Sequence, residues 1–224
     1  MTTAFIREIF KSIQGEGPHV GESQLFVRFC GCNLACRYCD TDFEKKTSTE
    51  YTAPALIEKI NTFGKNLTIS ITGGEPLLST DFLLEVLPQL KSQGYTIYLE
   101  TNSTLPEELK KVVNYVDIIA ADIKLPSATG LNVNTDTIKK FFEIAKDKEI
   151  FAKIVFNSNI TEEEIINSIE IARANNIEII LQPETQEDNI SFNPKVNEEI
   201  FEKFIIKYNK VRLIPQMHKF LNLK

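Results

Sequence analysis

Between residues 24 and 215 the sequence alternates short β-branched runs with longer amphipathic ones, and no other feature narrows the fold as far. Strand-like runs lie at 24–30 (QLFVRFC), 67–72 (LTISIT), 95–101 (YTIYLET), 116–123 (VDIIAADI), 150–156 (IFAKIVF) and 177–183 (IEIILQP), with a shorter one at 211–215 (VRLIP). Helix-like runs fill the intervals at 53–63, 80–94, 105–115, 135–148, 161–176 and 196–209. Their starts carry capping signals: Thr161 precedes Glu164 as a capping box, and Leu105-Pro106 is followed by acidic residues. Strands alternating with helices imply right-handed βαβ crossovers and a parallel sheet. A closed eight-fold barrel typically takes about 250 residues, and this chain has 224. The pattern therefore predicts an α/β fold, a partial TIM-like β/α barrel of about six parallel strands, in one domain over 1–224. The polar stretch 183–195 reads as a surface loop.

Charge excludes two classes of partner. Lys and Arg number 25 against 31 Asp and Glu, a net charge of −6, so the basic excess that draws proteins to nucleic acid or to anionic membranes is missing. The N-terminal stretch holds no apolar run of signal-peptide length, and no run of about 18 apolar residues occurs to span a bilayer. The expected location is the cytoplasm, where thiols stay reduced and clustered cysteines serve metals or redox chemistry rather than disulfides.

Three of the four cysteines, Cys32, Cys36 and Cys39, form a Cys-x3-Cys-x2-Cys loop straight after the first strand-like run. Thiolates are the ordinary ligands of iron–sulfur clusters, and three of them leave one iron of a four-iron cluster open. The competing reading is a zinc site completed by Cys30 or His19, although the paired Cys-x2-Cys knuckles usual for zinc are missing. Cys30 ends an apolar strand, where a free cysteine behaves as a small hydrophobe. In parallel α/β folds chemistry gathers at the carboxyl ends of the strands. The cysteine loop, Gly73-Gly74-Glu75-Pro76, Glu100-Thr101-Asn102, Asp122 with Lys124, and Gln182 all fall at such ends, on one rim.

"CNLACRYC" (32–39) resembles the cluster loop of the radical S-adenosylmethionine superfamily, and "TGGEP" (72–76) resembles its glycine-rich loop. Two adjacent glycines let backbone approach a ligand closely. The resemblance implies a 4Fe-4S cluster whose open iron is chelated by S-adenosylmethionine, and a 5'-deoxyadenosyl radical released on reduction. "SIQGEGPHVGESQLFVRFCGCN", "CDT", "ETN", "LQP" and "LIPQMHK" further resemble the 7-carboxy-7-deazaguanine synthase family, over about residues 8–219. That likeness implies a lyase converting 6-carboxy-5,6,7,8-tetrahydropterin to 7-carboxy-7-deazaguanine with loss of ammonia, in queuosine and 7-deazapurine biosynthesis. It implies Mg2+, a flavodoxin-like or other electron donor, and a homodimer.

Position by position, the resemblance places Ile13, Gln14, Gly15, Arg28 and Thr72 at the pterin substrate, with Arg28 facing its carboxylate. It places Tyr38, Cys39, Asp40, Gly74, Glu100, Asp122, Ile123, Lys124 and Gln182 at S-adenosylmethionine, with Thr101 beside Glu100. Cys32, Cys36 and Cys39 hold the cluster and Thr41 the Mg2+; no side chain is assigned as a catalytic acid or base. His218 is either a C-terminal contact or exposed. Two positions depart from the family pattern: Ser103 stands where glycine is frequent, so the backbone there is expected to bend differently, and Tyr38 stands where tryptophan is frequent. Two other readings remain: a glycyl-radical-enzyme activase, sharing the cluster loop, "TGGEP" and "DIK" (122–124), and a non-catalytic zinc-binding interaction module.

Overall fold

In the computed structural model, which describes residues 2–39, 47–185 and 193–223, the alternation resolves into a single mixed sheet. Its strands are β1 (Thr3–Ile13), β2 (Ser23–Phe29), β3 (Thr49–Thr52), β4 (Thr68–Gly73), β5 (Thr96–Thr101), β6 (Ile118–Asp122), β7 (Glu149–Phe156), β8 (Glu178–Pro183) and β9 (Val211–Leu213). The helices are α1 (Ala53–Asn61), α2 (Thr80–Ser92), α3 (Pro106–Val112), α4 (Pro126–Thr129), α5 (Thr135–Ala145), α6 (Glu162–Asn175), α7 (Pro194–Ile205) and α8 (Met217–Phe220). The strand order is β3-β1-β2-β4-β5-β6-β7-β8-β9, so the sheet is an incomplete barrel whose edge strands, β3 and β9, do not pair.

Seven strands, β2 and β4 through β9, run parallel, one more than the six or so expected, because the short run at 211–215 does pair with β8. Two further strands are new. β1 and β3 add an antiparallel edge beyond β2. β1 escapes the alternation test because only its first half buries every second residue, and a register shift between Ile6 and Glu8 breaks the period. The helix starts follow the sequence signals. Thr161 Oγ1 accepts from the Glu164 N–H at 3.2 Å, while the Glu164 carboxylate accepts from the Thr161 N–H at 2.8 Å. The same carboxylate accepts from the Ser127 N–H at 2.7 Å and so ties α4 to the head of α6.

Strand period two divides the side chains between two environments. One set, with Leu25, Val27, Ile69, Ile71, Ile97, Leu99, Ile119, Ala121, Ile154 and Ile179 among it, packs under the helices as the main core. The other set faces inward. At its base Tyr98, Ile118, Ala120, Phe151 and Ile180 form a second, small apolar cluster. One residue pair further along the same strands the inward set turns polar, with Glu100, Asp122, Lys153 and Gln182, and Arg28 on β2 and Thr72 on β4 extend that polar row.

The β1–β2 hairpin loop, residues 14–22, folds against this inner face instead of projecting into solvent. Gly17 sits at φ +67, and a Cβ there would lie 2.6 Å from the Phe151 ring. Glycine meets both demands at once. The His19 ring stands edge-on to Tyr98 at 5.6 Å between centroids. The segment after β9 packs over the loop from the other side, where the Met217 N–H donates to the Gly15 carbonyl at 2.9 Å.

Candidate active site

A cleft opens at the carboxyl ends of the parallel strands, above the inner apolar cluster. Arg28, Thr72, Glu100, Thr101, Asp122, Lys124 and Gln182 line it together with Cys32, Cys36, Tyr38, Cys39 and Gly74. The strand-end rule thus brings most of the candidates into one place. Ile13, Gln14 and Gly15 do not line it. Gln14 is buried and donates to Glu100 Oε1 at 3.0 Å and to Gln24 Oε1 at 3.2 Å, while Gly15 is pressed against His218, with no room for a Cβ. Ile123 packs in the main core. Asp40 and Thr41 lie outside the described residues. His218 lines the cleft.

Residues not singled out from the sequence share the lining, among them Glu16, Lys153, Thr185 and Gln216. Lys153 is an isolated cation in an otherwise apolar strand run, and that is its only sequence signal. Its ammonium lies 2.5 Å from Glu16 Oε2 and 3.6 Å from Asp122 Oδ1. Burial alone would discharge it, but Asp122, Glu16 and Glu100 hold it cationic and push its pKa well above the usual lysine value. For Glu16, burial works toward protonation. Lys153 and the donors around the carboxylate outweigh it and lower its pKa to about 2. Gln216 Nε2 donates to Glu16 Oε1 at 2.7 Å, and Gln216 Oε1 accepts from Thr185 Oγ1 at 2.7 Å. On the far wall Lys124 reaches Asp122 Oδ2 at 2.8 Å and donates to the Tyr38 hydroxyl at 3.0 Å. Burial pushes the Tyr38 phenol up to about 12, so it stays neutral.

Arg28 gives its Nε–H to Glu8 Oε1 at 2.9 Å and lies over Phe10. Glu100 accepts from Gln14, from Ser70 Oγ at 3.2 Å and from Thr72 Oγ1 at 3.0 Å, which fixes its carboxylate at the mouth of β5.

The glycine-rich loop has a packing task. The Gly74 N–H donates to the Phe29 carbonyl at 3.2 Å and the Glu75 N–H to the Gly31 carbonyl at 2.9 Å. A Cβ on Gly73 would lie 2.2 Å from Phe29 O, and one on Gly74 2.0 Å from Gly31 O. The two glycines therefore seat the cysteine loop directly on β4. Glu75 is fully buried and accepts from the Leu77 N–H at 3.0 Å, the Asn102 N–H at 2.7 Å and Thr101 Oγ1 at 2.9 Å. Its pKa is raised to about 7, burial outweighing those donors. Asn102 fastens the cysteine loop to the end of β5: its Nδ2 lies 2.8 Å from Asn33 Oδ1 and 3.8 Å from Cys32 Sγ. Ser103 carries a backbone conformation rare for a residue other than glycine. It takes the left-handed conformation itself, at φ +62, the region in which glycine is at ease.

The arrangement suits a three-thiolate cluster and an organic cofactor with donors of its own. All four cysteines are free, and the three of the loop line the cleft while Cys30, whose N–H donates to the Phe5 carbonyl, does not. Gln182 Oε1 and Asp122 Oδ1 are buried acceptors in the same cleft without a hydrogen-bond partner. Such acceptors call for the amino and hydroxyl groups of a bound molecule.

Comparison with known proteins agrees with this geometry. Residues 26–205 match the family model described as "Radical SAM superfamily". The chain belongs to that superfamily, whose cofactors are a 4Fe-4S cluster and S-adenosylmethionine. A 7-carboxy-7-deazaguanine synthase from Geobacter sulfurreducens is 38% identical, the match covering 97% of each chain, and one from Archaeoglobus fulgidus is 34% identical, again covering 97% of each. The chain is therefore a member of the 7-carboxy-7-deazaguanine synthase family, radical S-adenosylmethionine lyases of 7-deazapurine biosynthesis that also use Mg2+. The activase reading is not favoured. Among solved structures, that of QueE from Escherichia coli superposes with a TM-score of 0.66 at 21% identity over 96% of this chain and 95% of that one, a likeness of fold. Among the described residues no helix is long and apolar enough to cross a membrane.

Proposed function

We propose that this chain converts 6-carboxy-5,6,7,8-tetrahydropterin to 7-carboxy-7-deazaguanine with release of ammonia. The observation that carries the reading is the inward polar row Arg28, Thr72, Glu100, Lys153 and Gln182, joined by Glu16, in a cleft shared with the three-cysteine loop. When bound, the reduced cluster and S-adenosylmethionine supply the one-electron chemistry that takes a hydrogen atom from the substrate.

The protein's own residues do the rest. Arg28, with only its Nε–H given to Glu8, offers its terminal N–H pair to the substrate carboxylate, which a planar fork grips best. Thr72 lies next to it in register on β4 and orients the same end. Glu16, kept ionised by Lys153, and the amide of Gln216 face the polar edge of the pterin, beside Ile13, Gln14 and Gly15, which the family resemblance assigns to that edge. Gln14 backs the site by holding Glu100, and Gly15 by accepting from the segment after β9. Asp122, Lys124 and Gln182, with Tyr38, Gly74 and Glu100, border the space for S-adenosylmethionine, and Cys32, Cys36 and Cys39 ligate the cluster. The family resemblance assigns Asp40 to S-adenosylmethionine and the Thr41 hydroxyl to Mg2+, a hard ion that accepts such oxygen donors; both residues lie outside the described ones.

The chain works as one domain, in the cytoplasm and as a homodimer, and draws its electron from a flavodoxin-like or other reductant. The test is incubation of the anaerobically reconstituted, reduced protein with the carboxytetrahydropterin, S-adenosylmethionine and Mg2+. The deazaguanine product should appear by mass. Cofactor cleavage without that product would refute the substrate, and Mg2+ stimulation undiminished in Thr41→Ala would refute the metal ligand.

A further inference from the structure

Cys32 differs from its two partners in the loop. Among the described residues it is the one thiol of the three whose sulfur receives hydrogen bonds, from the Leu34 N–H at 3.4 Å and from the Asn102 side-chain amide at 3.8 Å. The orientation of that amide is fixed by chemistry. Asn102 Oδ1 lies 3.1 Å from the Thr104 backbone nitrogen, which can only donate, so the opposite end, turned to Asn33 and Cys32, must be the NH2. The surrounding bonds agree. The Thr104 hydroxyl donates to Asn102 Oδ1 at 2.6 Å and accepts from Asn33 Nδ2 at 2.8 Å, while Asn33 Oδ1 takes one of the two Asn102 amide hydrogens at 2.8 Å. The second hydrogen is left for the sulfur. Asn102 is 4% exposed, its N–H is held by Glu75, and Ser103 turns the chain immediately after it. The amide is thus set in place before any cluster binds.

We propose that Asn102 is a positioning residue for the radical chemistry: its N–H···S bond to Cys32 sets the reduction potential of the cluster that Cys32 ligates. Reduction adds an electron whose charge spreads onto the sulfurs, and a fixed N–H dipole favours the more negative state. Of the donor's interaction with a charged acceptor, only the part that differs between the two redox states counts. Removing it should lower the reduction equilibrium constant by about three- to tenfold, and tenfold is about 59 mV for one electron. The inference rests on Cys32 being a cluster ligand. Iron and sulfide analysis of Cys32→Ala tests that separately, and a cluster retained in full there would remove the premise whatever Asn102 does.

The experiment is potentiometric titration of the reconstituted protein, followed by electron paramagnetic resonance, in wild type, Asn102→Ala and Asn33→Ala. The Asn102→Ala midpoint should move to more negative potential. Asn33→Ala, which loses the loop clamp and keeps the sulfur's donor, should stay within twofold of the wild-type constant. An unshifted Asn102→Ala, or an equal shift in Asn33→Ala, would overturn the proposal. Should Asn102→Ala fail to hold a cluster, wild-type protein labelled with [15N]asparagine decides. The reduced cluster should show a 15N hyperfine coupling that survives in Asn33→Ala, and no such coupling would overturn the assignment.

Discussion

Lys153 holds two carboxylates, Glu16 and Asp122, at once, so Lys153→Met strands both in a partly buried cleft. Breaking a buried pair by removing one partner costs about 3–5 kcal/mol, and a loss of that order is expected in urea unfolding of the apoprotein. The pH dependence follows from Glu16. Its folded pKa of about 2 lies below the ordinary 4.5, so the ionised form adds stability above pH 4.5 that is lost as pH falls toward 2. Without Lys153 that depression disappears, and acid unfolding followed by circular dichroism should begin at higher pH. An unchanged acid transition would show that Lys153 does not hold Glu16 ionised. Glu75 has the opposite sign. Its pKa is raised to about 7, so the folded state binds the extra proton and stability declines as pH climbs from 4.5 to 7, a slope that Glu75→Gln should abolish. Ser103 gives a third expectation. A left-handed non-glycine residue costs about 1–2 kcal/mol, glycine returns about 0.5–1 kcal/mol of that through unfolded-chain freedom, and the Ser103 hydroxyl is buried without a partner. Ser103→Gly should therefore stabilise the protein by up to about 1 kcal/mol, and a net loss in denaturant titration would contradict this.

At the scale of elements, the loop after β4 and the cysteine loop behave as one unit because Gly73 and Gly74 admit backbone to backbone. Gly74→Ala would drive a methyl group into the Gly31 carbonyl, which cannot swing aside as a side chain would. The expected result is native far-ultraviolet circular dichroism with most of the iron lost after reconstitution, and full loading would refute it. Much of this was legible beforehand. The capping box of α6 and the strand-end residues Thr72, Glu100, Asp122 and Gln182 follow from local pattern and from the topology it implies. Lys153 was hidden because the alternation of β7 does not say which of its faces is inward until the neighbouring strands are paired. β1 was hidden by its register shift, and α4 and α8 by being a single turn each. The tasks of Gly15 and Gly17 depend on His218 and Phe151, partners far away in the chain, and no local reading reaches those.

Over the whole molecule, regular structure is concentrated in the sheet and its helices, whereas residues 31–39 carry none beyond a turn. Segments with few backbone bonds open locally at little cost, and a ligand bound by the folded form suppresses that opening. Hydrogen exchange should show that reconstitution of the cluster protects 31–39 and 100–104 far more than the strands, and a uniform gain would argue against a preformed scaffold. The bond from Gln216 to Glu16 joins residues 200 positions apart. During synthesis all three loop cysteines leave the ribosome long before Gln216, and one wall of the cleft waits for the segment after β9 to appear. A partly made chain can thus own every thiolate the cluster needs and still have nowhere to bind a substrate, which orders assembly so that competence for chemistry arrives only once the segment after β9 has been made.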